Sequence, residues 1–179
     1  MTHLRLQTPA DHGAVETLLD AAFGTTRKAK SAYALRAGVP SIAALSFVAV
    51  QDGDILGCIR FTPVAVDPLA GSAAMTGLLL LGPLAVEPAH HGVGIGQSLV
   101  DHGLAAAAAL EYQAAILVGD PEYYGRFGFD HSLVSGIVIP AEADQTRVQG
   151  HEITPGSFDG ISGTLVPFTP PGSGQTAQN

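Results

Sequence analysis

Seven residues, His90-His91-Gly92-Val93-Gly94-Ile95-Gly96, place three glycines at alternate positions between an apolar run and an alanine-rich segment. Glycine loses more backbone entropy on folding than any other residue, so three of them where a strand hands over to a helix need a reason beyond turning a corner. A strand-to-helix junction points unpaired main-chain N–H groups and the positive end of a helix dipole at one spot, which suits a phosphate. Gly92 and Gly94 let the chain curl without Cβ atoms blocking a ligand, and Gly96 lets the first helical turn approach it. The same pattern also makes a tight crossover in a parallel sheet, so the glycines alone leave a scaffold reading open. Two phosphate motifs do not fit. The P-loop requires Lys then Ser or Thr after its last glycine, whereas Gln97 and Ser98 follow Gly96. The dinucleotide fingerprint G-x-G-x-x-G belongs near the first strand, whereas this G-x-G-x-G lies past mid-chain.

A second group of chemistry-bearing residues follows in Tyr123-Tyr124-Gly125-Arg126-Phe127-Gly128-Phe129. Asp120-Pro121-Glu122 before it offers an N-cap, a proline at the first helical position and an acid in the first turn. The pattern predicts a helix of little more than one turn, closed by Gly125 and Gly128.

The elements that must position these residues are legible along the chain. His3 to Gln7 alternates as a short strand, and Thr8-Pro9-Ala10-Asp11 opens a helix whose apolar positions keep helical spacing until Gly24. A second helix is expected over Arg27 to Ala37. Ser46 to Val50 and Ile55 to Val66 read as a hairpin joined by Gln51-Asp52-Gly53-Asp54, with a loop at Asp67 to Ser72. Leu78 to Val86 is so uniformly apolar that a central strand buried on both faces is predicted. Gly82-Pro83 interrupts it, and because proline donates nothing to a ladder the strand must bulge or part from a neighbour there. Gln97 to Leu110 reads as a helix, with Leu99, Gly103, Ala106 and Leu110 on its packed face. Ala114 to Val118, Gly136 to Pro140 and Gly160 to Val166 complete the strands, the last two around a polar loop.

Composition limits the rest. The chain has 179 residues, 46% hydrophobic and only 13% charged, which suits one domain with one substantial core. Its formal charge of -8 and the absence of a basic stripe argue against nucleic acid as a partner. An acidic surface mildly favours cationic acceptors such as amines, though solubility alone accounts for it. Cys58 is the single cysteine, set in an apolar strand-like run, so it reads as a buried inert thiol in a cytoplasmic, reducing compartment. No leader-like segment opens the chain, and residues 77–86 are too short to cross a bilayer. No His, Cys and acid spacing suggests a metal. The sequence leaves the oligomeric state open, a homodimer included.

Leu84-Ala85-Val86-Glu87-Pro88 followed by His91 to Gly96 resembles the acetyl-coenzyme-A signature of the GNAT N-acetyltransferase superfamily, written Q/R-x-x-G-x-G/A. The family's tyrosine landmark, with Gly and Phe four and five residues on, is matched by Tyr124, Gly128 and Phe129. His91 stands where the family has Gln or Arg. The resemblance implies a GNAT-like α/β (α+β) fold, a central mixed twisted sheet of about six to seven strands flanked by about four helices. It implies one domain over residues 1–168, leaving a Pro- and Gly-rich tail at 169–179 that is expected to be disordered.

The resemblance also implies an activity: transfer of an acetyl group from acetyl-CoA to a primary amine, of a small molecule or a peptide, by direct attack in a ternary complex. Acetyl-CoA would be held by Leu84, Ala85, Val86, His91, Gly92, Val93, Gly94, Ile95, Gly96, Gln97, Tyr124 and Phe127. Its pantetheine would lie along the strand ending at Val86, beside strand 114–118, with N–H groups near Ala85 and Val86 polarising the carbonyl. Tyr124 would be the general acid, with Tyr123 its rival; neighbouring helical residues point about 100° apart, so one faces the sulfur and the other packs in the core. Glu87 is the candidate general base, directly or through water. Phe23, Arg27, Tyr33 and residues 130–160 would form the acceptor pocket. A non-catalytic acyl-CoA-binding module would use the same turn.

Overall fold

Two long apolar runs lie side by side at the centre of the molecule and set its layers. The computed structural model describes residues 1–71 and 73–170. The central runs are strands β3 (Asp54–Pro68) and β4 (Met75–Val86), paired antiparallel. Before them come β1 (His3–Leu6) and β2 (Ser46–Gln51); after them come β5 (Ala114–Val118), β6 (Ile137–Val138), β7 (Val148–Glu152) and β8 (Gly163–Pro167). Among the described residues these eight strands form one mixed sheet in the order β1-β2-β3-β4-β5-β7, with β8 on the far half of β3 and β6 on β8. The parallel pairs are β4 with β5 and β6 with β8.

Alternation along the strands sends side chains to opposite faces. Phe47, Ile59, Phe61, Leu79, Leu81, Ala115 and Leu117 share one core with helix α3 (Ile95–Ala109). Leu78, Leu80, Ala114 and Ile116 face the opposite way with Val134, Ile137 and Leu165. Helix α1 (His12–Phe23) covers Val48, Val50, Cys58 and Ala85 through Val15, Leu18 and Leu19. Each long helix thus shields one face of the sheet, and Cys58 is fully buried beneath α1. Helix α3 packs tightly on the sheet at Gly103, where a Cβ would lie 2.6 Å from the Phe61 ring.

The start of α1 is anchored by Asp11. Arg5 donates to both carboxylate oxygens, at 2.7 and 2.8 Å, and the Thr8 N–H donates at 2.7 Å. These bonds, the Arg5 contact first and the Thr8 N–H next, hold the Asp11 carboxyl well below the usual carboxylate range. A carboxyl depressed on folding contributes stability that is complete above its unfolded pKa of about 3.9 and is lost as the pH falls through the folded value. Asp11→Asn is therefore expected to lower Tm at pH 7 by about 2–4 °C. The gap from wild type should close as pH drops below about 4, a trend that thermal melts across pH will check.

Four elements depart from the sequence reading. Arg27 to Ala37 is no continuous helix: a 3-10 turn at Arg27–Ala29 gives way, through an extended Lys30 at ψ 149°, to the single turn α2 (Ser31–Ala34). The reason is tertiary, since Arg27 is 3% exposed and ion-paired to Glu16 and Asp20, which overrides local propensity. Gly136 to Pro140 keeps only the two residues of β6, and β7 stands where the sequence predicts a polar loop. In α3 the packed face runs through Ile95, Leu99, Gly103 and Ala107, whereas Leu110 is exposed. The expected tail lies, from residue 171 on, outside the described residues, as does Ser72 of the loop at 67–72.

Candidate active site

The sheet opens in its middle. β4 and β5 share only three registered pairs, Leu78 with Ala114, Leu79 with Ala115 and Leu80 with Ile116, although both strands run on. Gly82-Pro83, joined by a cis peptide, follows at once, and proline has no N–H to offer a partner. The parting expected at this dipeptide is therefore present. On its other side β4 stays bonded to β3: the Glu87 N–H donates to Leu56 at 2.8 Å, and Ala85 registers with Cys58. Antiparallel ladders bond alternate residues, so the main-chain groups of Leu84 and Val86 face the gap while those of Ala85 face β3. The carbonyl of Val86 accepts from Nε2 of His91 at 2.9 Å, which ties the glycine turn back onto the strand.

The glycines have two separate structural reasons. Gly92 and Gly94 adopt φ of 80° and 88°, a region that disfavours side chains, and Gly94 is the N-cap of α3. Gly96 has an ordinary φ, but a Cβ there would lie 2.6 Å from the Tyr123 hydroxyl. Its smallness thus admits a tyrosine of the chain itself. No side chain caps α3, and its first helical bond runs from Ser98 to Gly94. The N–H groups of Ile95, Gly96 and Gln97 therefore lack helical acceptors and sit at the positive end of a 15-residue helix.

These groups open on a cavity of about 400 Å³. Of the residues expected to hold the coenzyme, Leu84, Val86, His91, Gly92, Gly94, Ile95, Gly96, Gln97 and Tyr124 line it. Ala85 is buried against β3, Val93 is 69% exposed and does not line it, and Phe127 packs against the core. Glu87 lines neither this cavity nor the one on the other side of Leu84.

A second cavity, of about 520 Å³, lies across the gap, and Leu84 and Tyr124 line both. Tyr124 ends the one-turn helix α4 (Pro121–Tyr124), whose Asp120 cap accepts from the Glu122 N–H at 3.0 Å. Its ring sits against Gly119, where a Cβ would be 2.4 Å away, and stands edge-on to Phe129 at 6.0 Å. Burial first, then the neighbouring Tyr123, pushes the Tyr124 phenol above its ordinary pKa, with the Arg36 charge pulling the other way. The phenol is therefore protonated at neutral pH. With Tyr124 at the site, the helical spacing predicts that Tyr123 withdraws into the core. Instead it lines the first cavity, beneath the Arg126 guanidinium at 4.9 Å.

Phe23 and Tyr33 line the second cavity as expected, together with Glu142 and Arg147 from the 130–160 segment. Arg27 does not; its guanidinium is spent on Glu16, Asp20 and the Tyr33 hydroxyl. The sequence reading missed Arg36, which lines this cavity three residues after Tyr33 and stacks on it at 5.0 Å. That spacing within a basic segment was the available signal. Among the described residues no cluster of His, Cys, Asp or Glu is placed to hold a metal ion, and no helix is long and apolar enough to cross a membrane.

A mixed sheet parted beside a glycine-capped helix, with a protonated phenol at the opening, defines an acyltransferase-type domain. Residues 43–131 match the family model for the acetyltransferase (GNAT) domain. The chain is 28% identical to the uncharacterized N-acetyltransferase YhbS of Escherichia coli over 163 residues, 90% of this chain and 93% of that one. The crystal structure of YhbS in complex with CoA superposes with a TM-score of 0.78, at 27% identity, covering 93% and 89% of the two chains. A GNAT family acetyltransferase from Brucella melitensis, solved with acetyl-CoA, is 32% identical, with a TM-score of 0.66 and coverage of 93% and 95%. The chain belongs to the GNAT acetyltransferase family, and it is an acyltransferase.

Proposed function

We propose that the protein transfers an acetyl group from acetyl-CoA to the primary amine of an acceptor by direct attack within a ternary complex. The observation that carries this reading is the pair of cavities meeting at Leu84 and Tyr124. One has a helix N-terminus suited to pyrophosphate; the other shares the Leu84 and Tyr124 walls with it. Two relatives solved with CoA or acetyl-CoA support the choice of donor.

In this mechanism the amides at Gly92 to Gln97 hold the pyrophosphate, and pantetheine enters the gap between β4 and β5. The N–H groups of Leu84 and Val86, directed into that gap, hydrogen-bond the pantetheine and polarise the thioester carbonyl. The acceptor nitrogen forms a C–N bond to the acyl carbon as the C–S bond breaks. Tyr124 gives its proton to the departing thiolate, and burial raises the basicity of that thiolate as it does the phenol's pKa. The proton lost by the amine leaves through water to Glu87, which stands at the end of β4 outside both cavities.

Calorimetry with acetyl-CoA, followed by a coenzyme-release assay on an amine panel, tests the reading. Binding with stoichiometry of one and turnover of at least one amine is expected. Binding without turnover would leave a coenzyme-sensing module, and no binding at millimolar ligand would leave a scaffold.

A further inference from the structure

The cavity beyond Tyr124 holds three of the chain's eight Lys and Arg side chains, Lys30, Arg36 and Arg147, although the chain carries a formal charge of -8. Arg36 differs from the three arginines that are ion-paired within the fold. Arg5, Arg27 and Arg60 each pair with a carboxylate. No carboxylate among the described residues pairs with Arg36, and its Nε is enclosed with no hydrogen-bond partner.

This guanidinium is also held in place. It stacks on Tyr33 at 5.0 Å, and Tyr33 is itself fixed by Arg27, whose Nη1 donates to the phenol oxygen at 2.8 Å. A Cβ on Gly82 would lie 3.0 Å from its Nη2, so the fork reaches the point where β4 leaves β5. Burial pulls its pKa down to about 10, which still leaves it cationic at neutral pH. A largely enclosed cation without a counter-charge is costly unless a ligand supplies one where Arg36 lines the cavity.

The planar fork of arginine matches a carboxylate. The same cavity carries two acids, Asp120 and Glu142, so its charge is mixed. A dianionic phosphate would meet those acids, whereas a carboxylate attached to an ammonium presents one charge of each sign. We infer that the acceptor is a small carboxylate-bearing amine of the amino-acid type, with Arg36 binding the carboxylate while the amine points to Leu84 and Tyr124. This rests on the acetyl-transfer reading above.

The test uses the full chain, acetyl-CoA and L-amino acids, each matched with its methyl ester, and dipeptides with a free C-terminus. Coenzyme release is expected to show kcat/KM at least about tenfold higher for some acids than for their esters. Arg36→Gln should collapse that ratio toward one through KM while still binding acetyl-CoA, which also shows that it is folded; Arg36→Lys should restore part of it. Free amino acids outrunning dipeptides identify the α-carboxylate as the anchor, and the reverse places the carboxylate one residue away. Turnover of esters as good as that of acids, or an unchanged ratio in Arg36→Gln, overturns the inference and leaves acetyl transfer intact. If nothing turns over, thermal shift of the CoA-loaded protein decides. Stabilisation by acids in wild type but not in Arg36→Gln upholds the carboxylate site while sinking acetyl transfer, and no stabilisation sinks the inference.

Discussion

Tyr124→Phe is expected to bind acetyl-CoA as tightly as the wild type and to lose roughly 10²–10⁴-fold in kcat, the range associated with removal of a general acid. The substitution deletes one oxygen and keeps the ring. The contacts that seat the ring, its packing on Gly119 and its edge-on approaches to Tyr123 at 4.9 Å and Phe129 at 6.0 Å, do not involve the hydroxyl. Stability should therefore be preserved, and lost turnover would report on chemistry alone. Calorimetry and steady-state kinetics on the same preparation separate the two effects, and an unchanged kcat would remove Tyr124 from the mechanism. Tyr123→Phe is the natural comparison, because its hydroxyl lies over Gly96, on the phosphate side of the site.

Gly163→Ala should damage the fold far more than loss of the Asp11 anchor does. Gly163 sits at φ 154°, and a Cβ there would lie 2.0 Å from the Asp67 carbonyl oxygen and 2.9 Å from the Pro68 Cα. These are main-chain atoms of β3, so no rotamer change relieves the clash. The residue also joins three strands, registering with Pro68 of β3 and Ile137 of β6, and its N–H donates to Gly136 at 2.9 Å. Backbone strain of about 1–3 kcal/mol and overpacking of about 1–3 kcal/mol add to a sizeable share of a typical domain's stability of about 5–15 kcal/mol. A fall in Tm of about 10 °C or more is expected. Gly160→Ala, at φ 70° with open space around its Cβ position, should cost far less. Melting curves of the pair will check the contrast.

How much of the fold and site was legible in the sequence varies with the kind of force involved. Apolar alternation and turn residues act locally, so β1 to β5, α1 and the parting of β4 at Gly82-Pro83 could be read directly. The glycine turn could be read too, because Gly92 and Gly94 carry a backbone requirement that few other residues meet. What escaped depends on partners distant in the chain. β7 has a single aliphatic residue, Val148, and becomes a strand because β5 offers a free edge that buries Gln149 and Gly150. Arg27 and Arg36 look alike in a basic segment. Only the fold sends one into a cage of carboxylates and leaves the other enclosed without one. The close approach of Tyr123 to Gly96 likewise joins residues of two motifs that sequence spacing treats as separate.

The divergence of β4 from β5 creates an unpaired strand rim inside the sheet rather than at its border. Open rims invite intermolecular β-pairing, and proteins guard them by shape or by residues that refuse to pair. Here Pro83 interrupts the rim, and Leu84 and Tyr124 wall the cavities on either side of it. A pantetheine arm bound as proposed would pair with the N–H groups of Leu84 and Val86 and leave no open rim for a second protein's strand.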